Sequence, residues 1–137
     1  MTRTLPISPK PSIASEISHE LFWKSIAEGL AKYHRLKKER PNDFNFAESE
    51  LNNLGYNLLR QHKTKEAVAI FKLNTEEYPA SANAFDSLAE AYLANNEPAQ
   101  ARACYEKVLE LLPSANYSAD FKSRLESAAR GKLQELR

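Results

Sequence analysis

Residues 51–113 match themselves after a shift of 34 positions. Leu54 falls on Leu88, Leu59 on Leu93, Ala67 on Ala101, Ala69 on Ala103, Glu76 on Glu110 and Pro79 on Pro113. Similar residues fill the gaps: Leu51 on Phe85, Gly55 on Ala89, Leu58 on Tyr92 and Phe71 on Tyr105. A fixed period of this length means one supersecondary unit used more than once, each copy covering the apolar face of the next.

The residue types identify the unit as a pair of helices. Leu51, Leu54 and Leu58 stand at i, i+3 and i+7, the apolar stripe of an amphipathic helix. Gly55 lies inside that stripe, where glycine costs about 1 kcal/mol against alanine. That cost is rational where a partner helix packs directly on the Gly55 backbone. Ala67, Ala89 and Ala101 allow the same close approach. Phe71 and Tyr105 fill the space between helices, each burial contributing roughly 1.5–3 kcal/mol. Pro79 and Pro113 follow the second helix of each copy and end it.

This period, with its large-Leu-small-large first helix, its alanine and aromatic in the second helix and its closing proline, is similar to the tetratricopeptide repeat. The resemblance implies an all-α fold: a stack of antiparallel helix pairs, about seven helices, wound as a short right-handed superhelix. A narrower likeness lies in LGYNLL, IFKLNTEEYP, SANAFDSLAEAY and YEKVLELLP. These segments, with the upstream KPSIASEI and YHRLKKERPNDFNFAESELNNLGY, resemble the tetratricopeptide tail that follows the catalytic domain of some bacterial serine hydrolases of the beta-lactamase-like and esterase types. The likeness covers about residues 10–113. Nothing in it corresponds to a catalytic domain, so no catalytic residue is carried over.

Around the two clear repeats the chain reads as follows. Residues 1–11, with Pro6, Pro9 and Pro11, form a flexible terminus or linker. Residues 12–137 are expected to be a single helical-repeat domain. Within it, 12–41 is a degenerate repeat: Gly29, Tyr33 and Pro41 share the spacing of Ala67, Phe71 and Pro79. Its helices are predicted near 12–23, with Ser12 as N-cap, and 25–39. About four extra residues fall in PNDFNFAE, where Phe44 and Phe46 pin the loop and Asn45 with Glu48 has capping-box spacing. The clear repeats are 48–81 and 82–115, with helices predicted near 47–61, 64–77, 82–94 and 98–111. Thr64 is the expected N-cap of the second of these, and Pro98 suits the first turn of the last. Asn95 and Asn96 tolerate the left-handed conformation at a helix end. Residues 116–137 form a capping helix with Lys122, Arg124, Arg130, Lys132 and Arg137 on its polar face, and Gly131 is a potential break in it.

Composition bounds the function. The formal charge is +1, so no overall field favours nucleic acid or an anionic membrane. Locally, residues 1–45 carry 8 Lys and Arg against 5 Asp and Glu, 46–115 carry 6 against 10, and 116–137 carry 5 against 3. The repeats are thus acidic between basic ends. The densest basic run, His34 to Arg40, reads as a solvated helix face with cations at the favourable end of the dipole. No apolar run is long enough to span a membrane, and MTRTLPISPKPS lacks a signal-peptide core, so a cytoplasmic location is expected. The lone cysteine, Cys104, stands where the first repeat has Ile70 and reads as a small buried hydrophobe.

The search for chemistry yields an expectation of no enzyme, no catalytic residue, no metal site and no cofactor. Gly29, Gly55 and Gly131 are too dispersed for a phosphate-binding or nucleophile-elbow motif. His19-Glu20 begins a zincin pattern, but Trp23 takes the place of the second histidine. Binding is the better expectation. In tetratricopeptide arrays the first helices of successive repeats line a concave groove, and the resemblance places Asn52, Asn53, Tyr56 and Arg60 there from one repeat and Asn83, Asp86, Ser87 and Glu90 from the next. Their partner is expected to be a peptide or protein, with a hydrolase domain in cis and self-association as further forms. Chaperone-binding members grip acidic peptide ends with a Lys/Asn/Arg clamp. Asp86 and Glu90 would repel such an end, and no lysine stands in the strip.

Overall fold

A computed structural model of the protein describes residues 9–137. The expected Pro-rich terminus therefore lies, except for residues 9–11, outside the described residues. The order of elements is α1 (Ile13–Trp23), α2 (Ile26–Glu39), α3 (Glu48–Arg60), α4 (Thr64–Glu77), α5 (Ala82–Ala94), α6 (Pro98–Leu111), a short 3-10 turn (Leu112–Ser114) and α7 (Ala119–Glu135). No strand occurs among the described residues. The fold is all-α, a tetratricopeptide-like set of helix pairs. The chain divides into two compact units, one ending at Glu50 and one running Leu51–Arg137, so the division falls just inside α3.

In the first unit, α1 and α2 form a hairpin. Ser12 caps α1 by accepting from the Ser15 N–H at 3.1 Å, and Ser25 caps α2 through the Glu28 N–H at 3.1 Å. Ile13, Ile17 and Leu21 bury the apolar stripe of α1. A Cβ on Gly29 would lie 3.2 Å from the Leu21 Cβ, so that glycine lets α2 approach α1. Lys32 ties the hairpin by donating to the Glu16 carbonyl at 2.9 Å while pairing with Glu20 at 3.2 Å. The 40–47 loop folds back on it: the Asn45 N–H donates to the Pro11 carbonyl at 2.8 Å, and Tyr33 meets Phe46 edge-on at 5.5 Å. The basic run is engaged here, with Lys37 over the Phe46 ring at 4.6 Å and Arg40 over Phe44 at 5.0 Å.

Two capping expectations are corrected. Asn45 does not form a capping box with Glu48: its Oδ1 accepts from the Ala47 N–H at 2.9 Å, an Asx turn two residues ahead. Thr64 is not an N-cap but the first residue of α4, after Lys63. Its hydroxyl donates instead to Asn95 Oδ1 at 2.8 Å, tying the start of α4 to the end of α5.

The second unit carries the period. Gly55 on α3 faces the Phe71 ring of α4, and a Cβ there would stand 2.3 Å from Phe71 Cε1. The close approach expected at Gly55 is real, but an aromatic edge fills it rather than a helix backbone. Leu54, Gly55, Ala67, Ile70, Phe71 and Asn74 are buried, as are Leu88, Ala89, Ala101, Cys104, Tyr105 and Val108 one period on, whereas the counterparts of the buried Leu51 and Leu58, Phe85 and Tyr92, are half-buried. His62 and Asn96, one period apart, both take positive φ, 60° and 58°, where each first helix turns into its second. Pro98 occupies the first turn of α6. α7 packs on α6 through Leu125 and Ala129 and runs through Gly131 without a break. Nothing lies within 4 Å of a Cβ at Gly131, so this glycine faces open space and weakens the helix without ending it.

Candidate functional site

The proposed groove strip is carried by α3 and α5, the first helices of the two clear repeats. Leu51, Leu54 and Leu58 turn one face of α3 to the core, and Leu88 with the small residues Ala84, Ala89 and Ala91 turns one face of α5 there. This leaves Asn52, Tyr56 and Arg60 on α3, and Asn83, Asp86 and Glu90 on α5, at its edge. Ser87 is different. It is buried, and its hydroxyl donates to Asn52 Oδ1 at 2.9 Å while lying 2.9 Å from the Tyr56 hydroxyl. Three strip residues from two repeats thus form one hydrogen-bonded set, and Ser87 is its internal link rather than an outward contact. Tyr56 is further held by an edge-on contact with Phe71 at 5.0 Å.

The remaining strip residues are arranged around this set. Asn53 is exposed. Arg60 is exposed and hydrogen-bonded to Asn57 of its own helix, so it lies along α3. Asn83 is half-buried, and its backbone N–H donates to the Tyr117 hydroxyl at 3.2 Å. Ser81, the N-cap of α5, lies 3.4 Å from the same hydroxyl. Tyr117, expected inside the capping helix, stands ahead of α7 and completes the α5 N-terminus from 34 positions downstream.

Electrostatics single out Asp86 and Glu90, one turn apart on α5. Burial pushes the Asp86 carboxyl up to about 6, helped by the charge of Glu90. Glu90 is exposed overall, but its carboxyl lines a groove, and desolvation there raises it too. A hydrogen bond with Tyr56 and the charge of Lys132 work against that rise. Burial likewise pushes Tyr56 up to about 12, and Tyr105 upward with Asp86 and Glu90 adding to it. Tyr105, read from sequence as core filler, thus also underlies the acidic end of the strip. The groove itself, about 310 Å³, is lined by Asp86, Glu90, Leu93, Tyr105, Ala128 and Lys132. Lys132 reaches it from α7, which sequence spacing assigned to a polar outer face.

Cys104 is buried, and burial pushes its thiol up to about 11, far from a reactive thiolate at neutral pH. No three His, Cys, Asp or Glu side chains gather as a metal set among the described residues. No helix described is long and apolar enough to cross a membrane.

Residues 82–115 match the family model for the tetratricopeptide repeat. The match covers α5, α6 and the 3-10 turn, the second of the two repeats seen in the 34-residue period. No curated protein matches the chain. Tetratricopeptide domains typically mediate protein–protein interaction, and a helical stack that carries this repeat has the architecture of an interaction scaffold.

Proposed function

We propose that this chain is a non-catalytic scaffold that binds a peptide or protein segment along the α3–α5 strip. The observation that carries the reading is the Asn52–Ser87–Tyr56 set, with both contacts at 2.9 Å. It fixes side chains of two successive repeats before any partner arrives. A partner then meets an ordered surface, and the entropy lost on binding is small. Asn53 and Asn83 offer amides to an extended backbone, Tyr56 offers an aromatic edge, and Asp86 and Glu90 set the polarity.

Selection of peptides from a random display library on the whole chain tests this. Selected peptides should lose about tenfold or more in affinity when Asn53, Asn83 and Glu90 are together changed to alanine, a set that leaves the internal link intact. Unchanged affinity would remove the binding site from the strip. The absence of turnover belongs to the same proposal, and measurable ester or beta-lactam hydrolysis by the purified chain would contradict it.

A second reading rests on the segments LGYNLL, IFKLNTEEYP and YEKVLELLP, which resemble tails of serine hydrolases. On that reading the partner of the strip is a catalytic domain in cis. Co-purification of the chain with a separately expressed hydrolase domain encoded upstream in the same reading frame would support it. A reading frame with no such domain would remove it.

A further inference from the structure

The groove beside the strip is divided in character. Leu93, Ala128 and the ring of Tyr105 give it an apolar wall, and Asp86 and Glu90 give it two carboxylates. Among the residues lining it, the one cation is Lys132, whose ammonium also pairs with Glu135 on its own helix at 3.5 Å. Neither Asp86 nor Glu90 forms an ion pair among the described residues.

We propose that this groove receives a lysine or arginine side chain from an extended partner peptide, and that Lys132 of α7 is the chain's own competitor for the place. The proposal rests on the binding strip described above and names the chemistry of its partner. Two carboxylates against one lining ammonium, which pairs with Glu135 instead, leave the groove with excess negative charge, so complementarity favours a cation. An apolar wall beside acidic groups matches a long basic side chain, whose methylene stem packs while its head stays polar. A neutral side chain would desolvate two carboxylates without compensation, and an acidic one would add a third like charge. Lys132 can give way at little cost. Its side chain remains 46% exposed, and α7 is anchored by Leu125 and Ala129, so a rotamer change vacates the groove without moving the helix.

The test uses the whole chain and short fluorescein-labelled peptides of alternating alanine with lysine, glutamine or glutamate. Anisotropy is read at physiological salt, where attraction beyond about 8 Å is largely screened. The lysine peptide should bind most tightly. Asp86→Asn with Glu90→Gln should weaken it about tenfold or more, Lys132→Ala should tighten it about threefold, and Glu76→Gln on α4 should leave it unchanged. Circular dichroism checks that each variant keeps its helices, and Lys132→Ala tests the proposal from the opposite direction to the acid variant. A lysine peptide that binds no better than the glutamine one, or that is indifferent to both groove variants, overturns the cation assignment. If the glutamine or glutamate peptide then shifts the amide resonances of Asn53 and Asn83, the strip stands and only its charge preference falls. If no peptide shifts them, strip and cation assignment fall together.

Discussion

Gly55 is the residue whose replacement reads the packing most sharply. A methyl group there would meet the Phe71 ring at 2.3 Å, and that ring is fully buried, so it has nowhere to retreat. Gly55→Ala should therefore destabilise by about 1–3 kcal/mol in urea unfolding, although alanine is the better helix former. Gly131→Ala should do the reverse, gaining about 0.5–1 kcal/mol, because its Cβ meets nothing within 4 Å. Two glycines in helices thus have opposite signs, decided by what faces them. Asp86 supplies a pH signature. Its folded pKa of about 6 exceeds the usual 3.8, so the folded state holds its proton more tightly than the unfolded chain does. Stability from this group is full below about pH 4 and is lost as pH rises through 6. Asp86→Asn should stabilise the fold at pH 7.5 by on the order of 1 kcal/mol after solvent screening, read as a raised melting temperature, and change stability little at pH 4.

At the scale of the element, α5 is the helix on which the second unit depends. It packs against α4 and α6 and carries Leu88 in the core and Ser87 in the link to α3. Leu88→Ala should lower stability by about 2–5 kcal/mol as a core truncation. Ser87→Ala removes both hydrogen bonds of the link and should lose about 1–3 kcal/mol, with the Tyr56 ring freed to reorient, visible as a changed Tyr56 resonance. The helices themselves were legible in the chain: α4, α5 and α6 have the predicted limits, and the others differ by a few residues at most. Strong period-3.6 apolar spacing, Pro98 and the closing prolines carry that information locally. Caps were less legible. Thr64 and Asn45 have the right chemistry for N-caps, but their hydroxyl and amide found better partners in Asn95 and the Ala47 N–H. Gly131 had the composition of a break, yet the i to i+4 ladder on either side carries the helix through it.

The whole chain shows where sequence reading stops. The repeat register puts Asn52, Tyr56, Asp86, Ser87 and Glu90 on one strip. That register brings Asn52, Tyr56 and Ser87 near one another, and the structure joins them by contacts of 2.9 Å. That Ser87 is inside rather than outside does not follow from the register, since a serine one position from Leu88 reads equally as rim or core. Tyr105 and Lys132 joined the groove from α6 and α7, and no spacing within either helix announces a neighbour brought in by the fold. At this scale the proposal is that partners dock on the α3–α5 strip. Hydrogen–deuterium exchange of the full chain, alone and saturated with a display-selected peptide, tests that claim most directly. Exchange should slow chiefly in α3 and α5, with α1 and α2 unchanged. Protection confined to α1 and α2, or spread evenly over the chain, would contradict it.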